Sequence, residues 1–261
     1  MQALETRNIS FQQGAFHLHD LSLAIEKGKV TTIVGPNGSG KSTLLKLFAK
    51  LLKVRQGELV LNNESVYEIG RNDFSKKITL LLQKNDLMPN ITVRELVEYG
   101  RVPYQRGRKG KTFEDKEIVN WALEECQLEK YQDRMLTTLS GGELQRVRIA
   151  MALAQKTDIL LLDEPTTYLD IAHVIELMEL MKRINQKYQV TIVMVLHELA
   201  YAGAYSDSII VMKKGEVYTK GKPLDVLTSK LLKEVYEVDA TVAFQNGFPL
   251  IIPNQTNQMI I

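Results

Sequence analysis

The chain has 261 residues, of which 44% are apolar, 33 are basic and 31 are acidic. A chain of this length buries roughly 70–75% of its unfolded surface, so its stability requires neither a disulfide nor a metal. The net charge of +2 argues against a protein that binds nucleic acid through bulk positive charge.

Cys126 is the only cysteine, which excludes an intrachain disulfide. It lies in a helical pattern without metal-ligand spacing, and we predict that it is a packing residue. No fully apolar run is longer than the six residues Ile149–Ala154. Since a membrane-spanning helix needs about 20 apolar residues, we expect no segment to cross a bilayer. The N-terminus also lacks the apolar stretch of a signal peptide.

The first strands differ in character from those that follow. Residues Leu4–Ile25 alternate between apolar and polar around the turn Gln12-Gln13-Gly14, which predicts an antiparallel pair. Short apolar runs at Leu59–Leu61 and Ile78–Leu82 predict further strands. Residues Leu4–Ile25 are expected to belong to an antiparallel β subdomain.

Buried strands alternate with helical patterns through the centre of the chain. The predicted buried strands are Lys29–Val34, Asp158–Leu162 and Val190–Leu196. The helical patterns are Lys41–Lys50, Glu143–Gln155 and Ile171–Lys187. Such alternation predicts an α/β fold whose parallel sheet is covered on both faces. Ligands of these sheets bind at the carboxyl ends of the strands, where each of the three predicted strands is followed by unusual polar or glycine residues.

The remaining segments complete the predicted organisation. Helical patterns dominate from Met88 to about Lys156, so we predict a helical subdomain inserted at about residues 87–157. Short strands flank the turn Lys213-Lys214-Gly215. We place one domain at residues 1–225 and a tail at 226–261 that packs on it. The tail is expected to hold a helix, Ser229–Tyr236, and a strand pair around Asn246-Gly247.

A phosphate-binding loop is the strongest motif. Residues Gly35-Pro36-Asn37-Gly38-Ser39-Gly40-Lys41-Ser42 fit the pattern G-x-x-x-x-G-K-[S/T] between a strand and a helix. Glycines allow backbone N–H groups to point at phosphate oxygens, and the helix N-terminus adds favourable partial charge. Lys41 is expected to reach the β- and γ-phosphates of ATP, and Ser42 to ligate Mg²⁺. Thr43, the next residue, is expected to bind the nucleotide.

Three further polar residues follow the other strands. Asp163 ends the leucine strand and is the expected carboxylate of the Mg²⁺ site. Glu164, the next residue, points in a different direction, and we assign it as the general base that activates water. His197 follows the third strand and is expected to contact the γ-phosphate or orient the water. A lone histidine is more often structural, so its assignment depends on the other motifs.

The segment Leu139-Ser140-Gly141-Gly142-Glu143 has two readings. Ser140 and Glu143 fit a capping box that starts a helix. Two glycines in a first turn are poor helix formers, however, and they favour close approach of a ligand to the backbone. Together with the phosphate loop and Leu160–Pro165, this segment resembles the signature set of the ABC ATPases. The resemblance covers about residues 4–253 and implies the ABC ATPase fold, a P-loop NTPase core.

Membership in that family would assign further roles. Phe11 matches the aromatic position that stacks on adenine, and Gln83 the glutamine that senses Mg²⁺ and the attacking water. His197 matches the switch histidine. Ser140, Gly141, Gly142 and Glu143 would close over the nucleotide bound to a second copy of the chain. Thr167–Asp170 resembles the loop that crosses between copies, with Tyr168 where a small residue is usual.

Two stretches point to a subfamily. Tyr99–Tyr104 resembles a segment of ATPases that serve iron(III)-siderophore, haem and cobalamin importers, and so does the tail from Val238 to Pro253. Glu198 replaces a usual aspartate, and Val174 a frequent glutamine. The resemblance implies membrane permease subunits, an extracytoplasmic substrate-binding protein, no nucleic acid, and a location on the cytoplasmic face of the membrane. The charged run Arg106–Lys111 is expected to be a solvated loop near the permease-docking surface.

Three alternatives stay open at this stage. The first is an ABC transporter ATPase for another cargo or for export, since cargo never touches this subunit. The second is a soluble ABC ATPase that remodels ribosomes or DNA, but those usually carry two cassettes or a long coiled coil. The third is a small-molecule kinase, which would not need residues 139–143.

Overall fold

The computed structural model describes residues 1–83, 90–105 and 112–254. Two antiparallel strands, β1 (Gln2–Gln13) and β2 (Phe16–Glu26), open the chain. They join β4 (Gln56–Leu61) and the short β5 (Glu64–Ser65) in a four-stranded sheet of order β2-β1-β4-β5. The predicted antiparallel pair is confirmed.

The second sheet has six strands in the order β10-β9-β3-β8-β7-β6. Its members are β3 (Val30–Val34), β6 (Ile78–Leu81), β7 (Ile159–Asp163), β8 (Thr191–Val195), β9 (Ser208–Lys213) and β10 (Glu216–Gly221). All neighbours are parallel except β9 and β10, which form a hairpin. The predicted parallel sheet is therefore confirmed, with one antiparallel strand at its edge.

Helices cover both faces of this sheet. The described α-helices are α1 (Lys41–Phe48), α2 (Arg71–Ser75), α3 (Val93–Tyr99), α4 (Phe113–Glu125), α5 (Gly141–Ala154), α6 (Ile171–Tyr188), α7 (Leu199–Tyr205), α8 (Pro223–Val226) and α9 (Ser229–Val235). None of the helices in the described ranges is long and apolar enough to span a membrane.

The strand side chains divide into two cores. Leu160 and Leu162 point into a core shared with helices α3–α6, whereas Ile159 and Leu161 point into a core shared with α1 and the antiparallel sheet. Alternate residues of a strand face opposite sides, so continuous apolar strands are what a doubly covered sheet requires. Cys126 belongs to the first core, and burial raises the pKa of its thiol to about 12, which confirms its packing role.

In chain order, helices α3, α4 and α5 come after β6 and before β7, although these two strands are neighbours in the sheet. The three helices contact one another. This agrees with an inserted helical subdomain. The tail contains α9 and the hairpin of β11 (Ala240–Gln245) with β12 (Phe248–Pro253), and β12 contacts α7. The division of the chain at residue 225 stays a prediction.

Candidate functional site

The loop between β3 and α1 wraps around the side chain of Lys41. The Lys41 ammonium donates hydrogen bonds to the carbonyl oxygens of Gly35 and Pro36, at 2.8 and 3.0 Å. Burial lowers the pKa of Lys41, and the charges of Glu164 and Asp163 oppose that change. The hydrogen bonds of this buried ammonium become stronger when an anion replaces the neutral carbonyls, because a bond between two charged groups is stronger than one to a neutral acceptor.

The loop leaves its backbone accessible. Gly40 is the N-cap of α1 with a φ of 104°, and no side chain caps the first turn. Gly38 has a φ of 75° and open space where a side chain would stand. The loop borders a cleft of about 310 Å³ lined by Phe16, Asn37, Gly38, Gly40, Lys41, Ser42, Thr43 and Glu164. Unpaired N–H groups of a helix N-terminus at such a cleft form a ready site for phosphate.

Ser42 and Asp163 form the pair expected for a magnesium site. The Ser42 hydroxyl donates to Oδ1 of Asp163 at 2.8 Å. Burial raises the pKa of Asp163, and the hydrogen bond from Ser42 opposes this change. Mg²⁺ in nucleotide sites takes one or two protein oxygens and completes its shell with phosphate and water, so this hydroxyl–carboxylate pair fits the ion.

Glu164 is held by residues from three other segments. Its Oε1 lies 2.6 Å from Nε2 of His197, and Gln83 Nε2 donates to Oε2 at 2.6 Å. The Thr167 hydroxyl donates to the same Oε2 at 3.4 Å. The backbone of Glu164 has a φ of 52°, in the left-handed region, and its N–H donates to Val195 O on β8. Such strain at a non-glycine residue is common at functional sites.

The structure therefore brings together the predicted residues Gln83, Asp163, Glu164 and His197 with the phosphate loop. Thr167 is a contact that the sequence did not single out for this role. Within the described residues, no group of three or more histidine, cysteine, aspartate or glutamate side chains could hold a metal alone.

Ser140 to Glu143 do not line the phosphate-loop cleft, although Gly141 lines a neighbouring cleft together with Gln83 and Glu164. Ser140 caps α5: its Oγ accepts from Glu143 N at 3.2 Å, while its own N–H donates to the Glu143 carboxylate at 2.8 Å. Ser140 and Gly141 are exposed, and a side chain added at Gly141 would meet open space. Gly142 packs on the ring of His173 too closely for any side chain. The capping box is real, and the exposed start of α5 is also free to meet a ligand.

The adenine-stacking role predicted for Phe11 is wrong. Phe11 is only 8% exposed and belongs to the core beneath the antiparallel sheet. It shares the inward phase of its strand with buried Ile9, so its ring offers no free face. The aromatic side chain at the cleft is instead Phe16, at the start of β2. The strand alternation was the signal that could have separated the two.

The segment Tyr99–Tyr104 has a structural role. Arg101 is buried, forms an ion pair with Asp115 at 2.9 Å and donates to Ala154 O at 2.8 Å. The Tyr104 ring lies 3.9 Å from the Arg101 guanidinium. Gly100 approaches α5 so closely that an added Cβ would lie 2.2 Å from Met151 O. The motif therefore ties α3 and the following turn to α4 and α5, while Tyr99 stays exposed.

The comparison with protein families matches residues 18–167 to the ABC transporter family. Among the relatives, the petrobactin import ATP-binding protein FpuC of Bacillus anthracis is 43% identical over 93% of this chain and 89% of its own length. The iron(3+)-hydroxamate import ATP-binding protein FhuC of Bacillus subtilis is also 43% identical, over 93% of this chain and 90% of its own. The ferric enterobactin transport ATP-binding protein FepC of Escherichia coli is 39% identical, over 90% and 87%.

The solved structures that resemble this chain also include ABC transporter cassettes. A dimeric bacterial ABC transporter cassette is 31% identical, covers 84% of this chain and 98% of its own, and superposes with a TM-score of 0.73. A post-hydrolysis cassette with ADP and phosphate, also 31% identical, covers 84% and 98% with a TM-score of 0.71. An inward-facing ABC transporter, 24% identical with a TM-score of 0.87 over 99% of this chain and 100% of that one, shares the fold.

Fold and site together define a nucleotide-binding ATPase cassette. The chain belongs to the ABC transporter family. Within it, the relatives named above are ATP-binding proteins of iron-chelate import and transport. The charged run Arg106–Lys111 lies outside the described residues.

Proposed function

We propose that this chain is the ATP-hydrolysing subunit of an importer for an iron(III)-siderophore or a related chelate such as haem or cobalamin. The observation that carries the reaction is the Glu164 carboxylate, bonded to His197 and Gln83 beside the phosphate loop. The cargo class is supported by the relatives, two of which are 43% identical over 93% of the chain.

Different residues bind the nucleotide and transfer the proton. Lys41 exchanges its bonds to Gly35 and Pro36 for the β- and γ-phosphates, and the loop amides hold the remaining oxygens. Ser42 and Asp163 would hold a Mg²⁺ ion, which would offset charge on the phosphates. The partly exposed ring of Phe16 at the cleft offers a face for the adenine base.

Glu164 acts as general base. It takes a proton from the water that attacks the γ-phosphorus, while the bond to the bridging β–γ oxygen breaks and ADP leaves. His197 and Gln83 hold the two oxygens of this carboxylate, and Gln83 would also orient the water and contact the metal. Fixing a reacting group in this way lowers the cost of reaching the transition state.

In this proposal one chain provides only part of the nucleotide site, and a second copy of the chain provides the rest. In the proposed head-to-tail pair, Ser140, Gly141, Gly142 and Glu143 of one copy close over the nucleotide of the other. Two bound ATP molecules then favour the closed pair, and hydrolysis releases it. Support comes from the exposed start of α5, which does not line the phosphate-loop cleft, and from the dimeric cassette structure.

The partners we propose are membrane permease subunits and, beyond them, an extracytoplasmic substrate-binding protein. The chain would then sit peripherally on the cytoplasmic face of the membrane and would not bind nucleic acid. The closing and opening of the pair would be transmitted to the permease through the segment after Gln83. Residues 84–89 of that segment lie outside the described ranges.

The test is reconstitution of the chain with its permease and binding protein in vesicles. ATPase activity and uptake of radiolabelled iron are measured with ferric siderophores, haem and cobalamin, and the Glu164→Gln variant serves as control. We expect one iron-chelate class to stimulate ATP hydrolysis and to accumulate only with active ATPase. Stimulation by an unrelated cargo, or outward transport, would contradict the proposed cargo. Hydrolysis by diluted monomers at the concentrated rate per chain would contradict the shared site.

A further inference from the structure

The ring of His173, in the first turn of α6, lies against the second glycine of α5. A Cβ on Gly142 would lie 2.2 Å from Cδ2 and 2.7 Å from Nε2 of His173, so the ring fills the space that a side chain would need. Gly142 is buried, whereas Gly141 is exposed and a Cβ there would meet open space. The two glycines therefore have different surroundings: Gly142 faces α6 of its own chain, and Gly141 faces the solvent.

Asp170, the N-cap of α6, fixes the orientation of this ring. Nδ1 of His173 lies 2.7 Å from Oδ1 of Asp170, and the backbone N–H of His173 donates to the same oxygen at 3.0 Å. An ionised carboxylate only accepts hydrogen bonds, so we assign the ring proton to Nδ1. One carboxylate oxygen thus holds both the backbone and the side chain of His173, and the ring is kept pointing at Gly142.

The first turn of α5 needs such a contact more than an ordinary helix start does. Its first two residues are glycines, which lose more backbone freedom on ordering than any other residue. The next turn is held by side chains of its own, since Gln145 Nε2 donates to Pro165 O at 3.0 Å and Arg146 forms an ion pair with Glu176. The ring of His173 extends this attachment to the glycines themselves.

We propose that His173 is a positioning residue for the shared nucleotide site. Its ring holds the backbone at Gly142, so that the exposed start of α5 is presented in one orientation to the nucleotide of the second copy. The inference rests on the proposed function, since it requires the pair of chains. His173 does not line the phosphate-loop cleft, so it acts on closure of the pair and not on the first binding of ATP.

The experiment separates ATP binding by one chain from ATP-dependent dimerisation. Both are measured in a Glu164→Gln background, which is expected to stop turnover. A labelled ATP is titrated with Mg²⁺ at protein concentrations too low for the pair to form, and analytical ultracentrifugation with MgATP gives the dissociation constant of the dimer. His173→Ala removes the ring. Glu176→Gln is the matched control, because it breaks the neighbouring contact between α6 and α5 and leaves His173 in place.

For His173→Ala we expect the dissociation constant of the dimer to rise about 10-fold, the effect of one lost contact of ordinary strength, while ATP affinity of the single chain is unchanged. Glu176→Gln should keep the dimer of the parent, even where its thermal unfolding temperature falls as much as that of His173→Ala.

A double-mutant cycle tests the contact itself. Gly142→Ala puts a methyl group where the His173 ring stands, so it should weaken the dimer in the parent. In the His173→Ala background that space is open, and Gly142→Ala should weaken the dimer at least about 3-fold less. Any cost that the methyl group imposes on the nucleotide itself is common to both backgrounds and cancels in the comparison.

Three results would overturn the proposal. An unchanged dimer in His173→Ala would show that the ring is not needed for closure. An equal loss in Glu176→Gln would assign the effect to the general packing of α5 on α6. Additive effects of Gly142→Ala and His173→Ala would show that the ring does not hold this glycine. If the Glu164→Gln protein with His173 intact forms no ATP-dependent dimer, the proposed function itself fails, which is read before any His173 variant is made.

Discussion

Nε2 of His197 lies 2.6 Å from Oε1 of Glu164, and the two residues follow the adjacent strands β8 and β7. This contact places the histidine on the oxygen of the carboxylate that Gln83 leaves free, since Gln83 and Thr167 both donate to Oε2. The carboxylate therefore has a fixed orientation before any substrate is present.

The first prediction concerns this carboxylate. Glu164→Gln should lower the ATPase rate about 10²–10⁴-fold, the contribution of a positioned general base, while ATP affinity is retained. The measurement is phosphate release together with size-exclusion chromatography, which should show an ATP-dependent dimer that no longer dissociates. Glu198→Gln, one residue after His197, is the control and should keep most of the activity. Unchanged phosphate release in Glu164→Gln would remove Glu164 as the base.

The second prediction concerns nucleotide binding. Lys41→Ala removes the only ammonium that the cleft presents in the described structure, so ATP affinity should fall about 100-fold or more, as expected for lost charge-assisted hydrogen bonds. The measurement is calorimetric titration with MgATP. Lys46→Ala, on the same helix but outside the cleft lining, should bind nearly as tightly as the parent. Tight binding by Lys41→Ala would contradict the assignment of the loop.

The third prediction concerns the shared site. Ser140→Arg should bind ATP normally as a monomer but fail to form the ATP-dependent dimer, because a long charged side chain occupies the exposed start of α5. Gln186→Arg introduces the same charge at an exposed position near the C-terminal end of α6, and this variant should dimerise normally. Analytical ultracentrifugation in the Glu164→Gln background separates the two. Normal dimers of Ser140→Arg would refute completion of the site by a second copy.

The fourth prediction concerns acid stability. Burial alone would raise the pKa of Asp115, but hydrogen bonds from Arg101 and Thr112 hold it below its usual range. A carboxyl with a depressed folded pKa contributes stability above its unfolded pKa of about 4, and that contribution is lost as pH falls through the folded value. Asp115→Asn should therefore be less stable by about 3–5 kcal/mol near neutral pH, since it leaves buried Arg101 unpaired.

The measurement for Asp115 is urea unfolding between pH 3 and pH 7 for the parent and the variant. The difference between them should shrink below about pH 4, where the parent's carboxyl becomes protonated. Asp133→Asn changes an exposed carboxyl of the same subdomain and should cost little at any pH. A difference that is constant with pH would show that the charge of Asp115 is not what matters.

The fifth prediction concerns the single thiol. Because burial raises the pKa of Cys126 to about 12, the native protein should not react with an aromatic disulfide reagent at pH 8. Unfolding in guanidinium should expose one reactive thiol per chain. Rapid reaction of the native protein would show that the helical subdomain opens readily around α4.

The sequence predicted the sheet and the position of the glycine-rich loop well, for a physical reason. The buried strands are continuous apolar runs, and each is followed directly by a polar or glycine residue, as Leu162 is by Asp163. The family resemblance was less reliable than the local pattern at the turn between Phe11 and Phe16, because the alternation of β1 places Phe11 in phase with buried Ile9 and turns its ring inward.

Contacts between distant segments lay beyond the reach of sequence reasoning. The ion pair of Arg101 with Asp115 spans two helices, and no spacing rule links a residue after α3 to one in the first turn of α4. Tertiary packing creates such pairs, and motif spacing does not report them.

The left-handed backbone at Glu164 has a consequence for the choice of residue there. Glycine adopts a φ of 52° without the strain that glutamate bears, so Glu164→Gly would relax the turn after β7, but it would also remove the carboxylate that His197 and Gln83 hold. The proposed reaction thus places its carboxylate at a backbone conformation that glycine would adopt more easily.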